Sequence, residues 1–540
     1  MKNILRIVNS DKTFKPIKNW AKQFYAKCAI EIRHYKSRKA LQNLSIITKK
    51  YKNSGSGNIL IDGTFLNLGY FYRLQLARAS LADQGFNEVT FLGRHNKKHC
   101  FAALKVLGLK TFAESTLKES EKHRHKANNM LRKVTTSKEL LAIRLPSGYP
   151  ASFVYDDILK RQKSATPHIT HSSTIEVLGK TLAHIEDAKK LLNLYKPRWL
   201  LMSHAITMER GPLVWAALQK KIPVLLLFGN YGTPRFFKMK SLGTFFSIGR
   251  PEKKDMAFLS PDKKVRLRKT GSSYLNRRLK GLSNDIGGQY AFSPKKRENA
   301  NNSLFNFAQR KPVIAVYASN WFDFPHALGM KHFTDFYDWI TLTYKIAMKA
   351  DHVNWVFRPH PCDDWYGGIS LRHVLPPRMP SHISLLPMGV PGKAIQETAD
   401  GLVTFHGTAG IEYAASGKPV LLAEKSWYHD AGFAVCAKSR SDYIRLLQKK
   451  WWLGIDKVKT QNSALEFAGM YFCAPHWQKP ILMPDDSDRI GLVNHLEKIN
   501  FESNRSIIKE VGVLKAWLSS NNRWYHSYKM KNAQNYILPF

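Results

Sequence analysis

Two apolar runs, each closing on chemistry-bearing residues, constrain this chain more than any other feature. Asn354-Trp355-Val356-Phe357 passes directly into Arg358-Pro359-His360-Pro361, and Gly401-Leu402-Val403-Thr404-Phe405 into His406-Gly407-Thr408-Ala409-Gly410-Ile411-Glu412. Runs this short, rich in β-branched and aromatic residues and without polar alternation, read as strands buried on both faces, the kind that build parallel sheets. Polar groups at the carboxyl ends of such strands line the crevice in which an open α/β sheet holds its ligand.

The same grammar runs through most of the chain. Ile59–Asp62, Val89–Leu92, Trp199–Met202 and Val224–Phe228 are candidate strands of a first unit, with a helix expected through Tyr72 to Ala82. Val313–Tyr317, Trp355–Phe357, Ile383–Leu386, Leu402–Phe405 and Val420–Ala423 are those of a second, with helices expected at His332–Ala350, Gly392–Thr398 and Thr408–Ser416. Strand and helix in alternation imply an α/β fold of two Rossmann-like doubly wound domains facing a cleft. At 540 residues the chain exceeds what one hydrophobic core can serve. The expected divisions are a basic amphipathic extension and linker at 1–57, an N-terminal acceptor domain at 58–250, a connection at 251–310, a C-terminal donor domain at 311–500 and a helical tail at 501–540. Ala113–Leu140 reads as a charged helical insertion or lid, and Trp517, Trp524, Tyr525, Tyr528, Lys529 and Lys531 as a tail folded back across a domain face.

The balance of 84 Lys+Arg against 40 Asp+Glu, a formal +44, calls for a polyanionic partner: nucleic acid, anionic lipid, acidic polysaccharide or sugar nucleotides. In the extension, Ile17, Trp20, Phe24, Cys28, Ile32 and Tyr35 recur near helical spacing among Lys18, Lys22, Lys27, Arg33, Lys36, Arg38 and Lys39. That pattern suits either an anionic bilayer surface or a helix packed on the next domain with its basic face in water. No RNP, KH, zinc-finger or helix-turn-helix pattern singles out nucleic acid. The five cysteines are far apart with no CxxC pair, which argues against a zinc site or a disulfide framework. Met1–Phe14 lacks an apolar core and no later apolar run reaches the ~18 residues a spanning helix needs, so neither a signal peptide nor a spanning helix is expected.

Thr408 is placed to cap a helix starting directly after a strand, Gly407 and Gly410 to let a ligand approach the backbone, and Glu412 to accept a hydroxyl or amino group one turn later. His360, held between two prolines, and Arg358, a fixed bidentate cation, suit a phosphate or sugar oxygen. In the first unit, Asp62 ends a strand where a carboxylate could act as general base, and His204 and Glu209 are its rivals. Asp156-Asp157 lacks the form of a metal-binding DxD, and Asp485-Asp486-Ser487-Asp488 reads as a helix cap.

Arg358-Pro359-His360-Pro361 and Gly407-Thr408-Ala409-Gly410-Ile411-Glu412, with Gly417-Lys418-Pro419-Val420, resemble the C-terminal domain of bacterial capsule polysaccharide biosynthesis glycosyltransferases, the group that includes Kdo transferases of the GT-B fold. Ser319–Gly329 and Phe336-Tyr337-Asp338-Trp339 are similar to a stretch common in that family. The resemblance spans Lys311–Glu424 and, more weakly, Asn58–Asn230. It implies a nucleotide-sugar donor held by Ser319, Asn320, His326, Arg358, His360, Pro361, His406, Gly407, Thr408, Gly410 and Glu412, a glycan or glycolipid acceptor, and no metal or cofactor, with His360 also a catalytic candidate. The scattered cysteines make a reducing cytoplasm the simplest compartment, and the basic extension, which lies outside the resemblance, is expected to keep such an enzyme peripheral at the inner face of the inner membrane on anionic lipid. His-Pro elements also occur in related sialyltransferases and teichoic-acid polymerases, so the donor stays open. A sugar-nucleotide 2-epimerase of the same architecture and a non-catalytic polyanion-binding protein are the alternatives.

Overall fold

The computed structural model describes residues 38–49, 57–93, 97–114, 120–228, 235–245, 250–251, 253–257, 259–282, 309–361, 368–387, 390–473 and 505–525, with the short pieces 292, 307, 363, 493 and 496–498. The periodic basic segment before residue 38, Cys28, Cys362, the Asp485–Asp488 cap and Tyr528–Lys531 lie outside them.

Two six-stranded sheets carry the fold. The first comprises β1 (Asn58–Asp62), β2 (Asn87–Leu92), β3 (Thr111–Glu114), β4 (Pro197–Met202), β5 (Val224–Phe228) and β6 (Arg235–Met239), in the order β3-β2-β1-β4-β5-β6. The second comprises β7 (Val313–Tyr317), β8 (Asn354–Arg358), β9 (Ile383–Leu385), β10 (Gly401–Thr404), β11 (Val420–Leu422) and β12 (Val435–Cys436), in the order β12-β11-β10-β7-β8-β9. Each therefore winds outward in both directions from its first strand, reversing between β1 and β4 and between β7 and β10. This is the doubly wound arrangement read from the sequence, twice over.

Three strands escape sequence reading, all of them at sheet edges. β3 occupies the start of the supposed Ala113–Leu140 lid, which otherwise holds separate helices at Glu121–Leu131 and Ser137–Ala142. β12 has two residues. β6 runs antiparallel to β5, so the first sheet is not wholly parallel. β3 and β12 are short, and β6, though buried from Phe236 to Met239, is interrupted by Lys238, so none of the three shows an unbroken apolar run.

Among the helices of the described residues that frame the two sheets and their crevices are α1 (Leu68–Leu81), α2 (Ala151–Gln162), α3 (Pro261–Leu279), α4 (Phe336–Ala347), α5 (Ala409–Ala415), α6 (Lys457–Phe472) and α7 (Arg505–Ser519). α1 is buried from Gly69 to Leu81 because the sheet takes one face and α7 packs against it. Its Arg78 meets Glu88 with Nε to Oε1 at 2.7 Å and Nη2 to Oε2 at 2.6 Å, a bidentate pair that satisfies a cation sealed in this layer. The tail thus returns to the first domain: Tyr525 N donates to Phe236 O at 2.8 Å, Lys238 N to Arg523 O at 2.7 Å, and Trp517 is fully buried. The buried Lys238 ammonium donates to the carbonyls of Trp517, Leu518 and Ser520 at 2.8, 3.1 and 2.5 Å, closing the orphan end of α7. Residues 38–49 are helical and bury Ala40, Leu41, Leu44 and Ile47, so this part of the extension packs on the fold.

The stretch read as a connection contains α3, which runs parallel to α6. Arg268 pairs with Glu466 at 2.6 Å, Tyr274 stacks on Phe472 at 4.9 Å, and Gly271 faces Gly469. A Cβ on Gly271 would strike the Leu465 carbonyl, and one on Gly469 the Leu267 carbonyl. Two glycines at one crossing let the backbones touch. Among the described residues no helix is long and apolar enough to cross a membrane.

Candidate active site

The reversal between β7 and β10 opens a cavity of about 350 Å³, within the range of small-molecule sites. Its walls come from three strand ends and the segments beyond them: Tyr317, Ser319 and Asn320 from β7, Arg358 to Pro361 from β8, Thr404 and His406 to Ala409 from β10, and Arg278, Trp427 and Tyr471 from outside the sheet. Of the sequence-nominated donor residues, Ser319, Asn320, Arg358, His360, Pro361, His406, Gly407, Thr408 and Glu412 line this space together. Residues some ninety positions apart meet here because β7, β8 and β10 are neighbours in one sheet.

Within the cavity Arg358 lies over the Tyr317 ring at 4.7 Å, and its Nη2 donates to Val390 O at 3.3 Å. Burial, then the nearby Arg358 charge, lowers His360 to about 4. Burial, then His360, lowers His406 to about 3. Both imidazoles are therefore neutral near pH 7, while Arg358 supplies fixed charge. His406 Nδ1 is buried and makes no hydrogen bond among the described residues.

Several expectations are corrected here. Thr408 sits at the N-cap of α5 with helical dihedrals and accepts no capping bond; its hydroxyl instead receives Arg278 Nη2 at 3.2 Å. Gly410 does not face the cavity; its missing side chain makes room for the Tyr428 hydroxyl, which donates to Gly407 O at 2.7 Å. The amides of Gly410, Ile411 and Glu412 already donate to Gly407 and Thr408 carbonyls, and α5 has only seven residues, so little of the expected anion-binding helix start remains. Glu412 is engaged by Arg278 Nε at 2.7 Å, with side chains 7% and 5% exposed. That pair neutralises one wall and leaves Arg358 as the cation nearest the strand ends. Arg278 was hidden because its segment read as a linker; the spacing Leu267, Gly271, Leu275, Arg278 is the signal that marks its helix.

His326 is outside the cavity, at the seam between the domains. Its Nδ1 lies 2.7 Å from Asp156 Oδ1, and the amides of His326 and Ala327 donate to Asp156 Oδ2 at 3.0 Å each. One residue away on α2, Tyr155 donates to Asp335 Oδ2 at 2.6 Å, while Asp335 Oδ1 caps α4. Asp156 is thus consumed in joining the domains. Asp157 is buried as well; burial, then Asp156 and Glu209, pushes its carboxyl well above the usual range.

The first-domain candidates cluster where β1 and β4 end. Asp62 is fully buried and accepts from Thr64 N at 2.9 Å, Thr64 Oγ1 at 2.6 Å, Ser203 N at 3.1 Å, Ser203 Oγ at 2.5 Å and Arg210 Nε at 3.2 Å. Burial alone would raise its carboxyl, but Arg210 and these donors outweigh burial and hold it low. A carboxylate so saturated has no face left for an incoming hydroxyl, which removes Asp62 as the general base. His204 is only half-buried, with Nδ1 3.0 Å from Ser203 Oγ and its ring edge-on to Phe65 at 4.8 Å. Because the Ser203 hydroxyl hydrogen goes to Asp62, Nδ1 is the donor to Ser203 and Nε2 carries the lone pair. Burial, then Arg210, lowers His204 to about 4 against the opposing pull of Asp62. Glu209, also half-buried, directs its carboxylate toward Gly93.

No family model matches the chain, and no curated protein matches it. Among solved structures it is similar to UDP-GlcNAc 2-epimerase from Neisseria meningitidis bound to UDP-GlcNAc (12% identity, 81% of this chain and 100% of that one, TM-score 0.23). It is also similar to the glycosyltransferase SnogD from Streptomyces nogalater (13% identity, 82% and 99%, TM-score 0.25) and to the glycosyltransferase VinC in complex with dTDP (12%, 82% and 100%, TM-score 0.24). At such scores the matches carry no argument about chemistry; the fold rests on the strand orders above.

Proposed function

We propose that the chain is a glycosyltransferase that holds a nucleotide-activated sugar in the second domain and transfers the sugar to a hydroxyl of a surface glycan or its lipid anchor. The observation that carries this reading is the cavity at the β7/β10 reversal, where the Arg358 guanidinium, two neutral imidazoles and aromatic walls converge. Arg358 would neutralise the departing phosphate, and His360 and His406 would hydrogen-bond phosphate or sugar oxygens without adding charge. Tyr317, Trp427 and Tyr471 offer flat surfaces to a base or sugar ring. On the acceptor side His204, oriented through Ser203 by Asp62, would take the hydroxyl proton at Nε2 as the new glycosidic bond forms and the sugar–phosphate bond breaks.

Thermal unfolding with CMP, CDP, UDP and GDP, each with and without Mg²⁺, tests the reading. Ligand at about 100 times its Kd adds about 2.7 kcal/mol to the domain it binds. One nucleotide should raise the midpoint, and His360→Ala should abolish the rise while the unliganded protein stays folded. An equal rise in the variant would refute the assignment. Conversion of a sugar nucleotide without any acceptor would favour the epimerase alternative.

A further inference from the structure

The parallel pairing of α3 and α6 brings the N-terminal turns of both helices to one end of the second domain, away from the cavity. Arg268 opposite Glu466, Gly271 opposite Gly469 and Tyr274 opposite Phe472 fix the direction. Tyr471, near the far end of α6, lines the cavity, so Lys457 at its start lies roughly 20 Å away at the helical rise.

This end combines two features that a soluble surface seldom combines. Three large apolar side chains stand in water: Val458 at the start of α6 is 67% exposed, Leu453 in the loop before it 61%, and Val265 in the first turns of α3 54%. Around them Arg266, Lys269, Lys449, Lys450, Lys457 and Lys459 are basic, and all six are exposed. The acids of the same turns are Asp262 and Asp456, and Asp456 is occupied in accepting Lys459 N at 2.9 Å. The loop is not slack beneath Leu453. Trp451 and Trp452 are each 7% exposed, Trp451 against Gly401 at the start of β10 and Trp452 stacked with His352 at 6.1 Å. A rigid base therefore presents Leu453 outward between lysines.

We propose that this end of the second domain docks on an anionic lipid bilayer, with Leu453, Val458 and Val265 entering the headgroup boundary and the six basic side chains pairing with lipid phosphates. Nucleic acid or an acidic polysaccharide would use the lysines but gain nothing from exposed leucine and valine. A bilayer rewards both. The inference does not depend on what the cavity binds, and it gives the excess positive charge a second contact surface besides the basic extension.

Flotation of the full chain with phosphatidylcholine vesicles, and with vesicles rich in phosphatidylglycerol, tests it. The parent should float with the anionic vesicles alone. Lys449→Gln with Lys450→Gln should lower partitioning by roughly 25-fold, about fivefold for each lysine near the surface. Leu453→Ser with Val458→Ser should lower it by about tenfold at unchanged charge. All four positions are exposed, so the thermal midpoint should not move. Parental flotation by both variants would place lipid contact elsewhere in the chain and overturn the proposal. Loss in the lysine pair alone, with duplex DNA displacing the parent from vesicles, would overturn it in favour of a polyanion surface.

Discussion

Removing Arg278 tests whether the helix α3 forms a wall of the cavity or merely lies near it. Its guanidinium donates to Glu412 at 2.7 Å and to Thr408 at 3.2 Å, and both partners of the ion pair are almost sealed from water. Arg278→Ala leaves the Glu412 carboxylate in place without its counter-ion. Breaking a buried pair from one side costs about 3–5 kcal/mol, because the remaining charge keeps its desolvation penalty. A domain of this size loses about 2–4 °C per kcal/mol, so the melting transition should fall by roughly 10 °C. Arg278→Met combined with Glu412→Gln removes both charges while keeping much of the volume, and should recover more than half of the loss. Urea unfolding of the parent, Arg278→Met, Glu412→Gln and the double variant gives the coupling energy directly, expected at about 2 kcal/mol or more. A cost for Arg278→Ala below about 1 kcal/mol, or strict additivity in the cycle, would refute the claim that the pair is buried and mutually dependent.

Acid should weaken the fold through the histidines. His204 and His360 are lowered to about 4 and His406 to about 3, so as pH falls below about 6.5 the unfolded chain takes up protons that the folded chain refuses. Stability should therefore decline between about pH 6.5 and 4, each histidine adding up to about 1.4 kcal/mol per unit to the slope, and replacement of His406 by Gln should flatten the urea-midpoint profile. Because the His360 and His406 imidazoles stay neutral above about pH 4, the ratio of nucleotide affinity between the parent and His360→Gln, by calorimetry, should be the same at about pH 7.5 and about pH 6. Gly271→Ala forces the backbones of α3 and α6 apart and should cost about 1–3 kcal/mol in urea unfolding, whereas Gly512→Ala, with open space at its Cβ, should be nearly neutral. Lys238→Met leaves three buried carbonyls without a donor and should lower the midpoint by about 3 kcal/mol equivalent, with faster amide exchange in α7.

Nine of the twelve strands were legible as apolar runs, because a strand covered on both faces must be apolar throughout. Most of the donor-side candidates were legible for a related reason: residues at the carboxyl ends of such strands fall into one crevice whatever the chain does between them. His360 and Gly407 needed no more than that. Their neighbours show where sequence reasoning stops. Thr408 has the residue type of a cap, and Glu412 the position of a ligand contact, but Arg278 from a helix 130 residues earlier claims both. His326 sits in a stretch that resembles a donor site, yet Asp156 of the other domain holds it at the seam. Asp62 has the placement of a base and is saturated by donors from Thr64, Ser203 and Arg210.

Local pattern thus determined the two doubly wound sheets and the ring of residues around the second crevice, since burial periodicity is written in neighbouring residues. Which polar groups remain available for chemistry was decided only by the tertiary structure. A buried carboxylate or guanidinium must find a partner, and that partner comes from whichever distant segment the fold brings within hydrogen-bond reach.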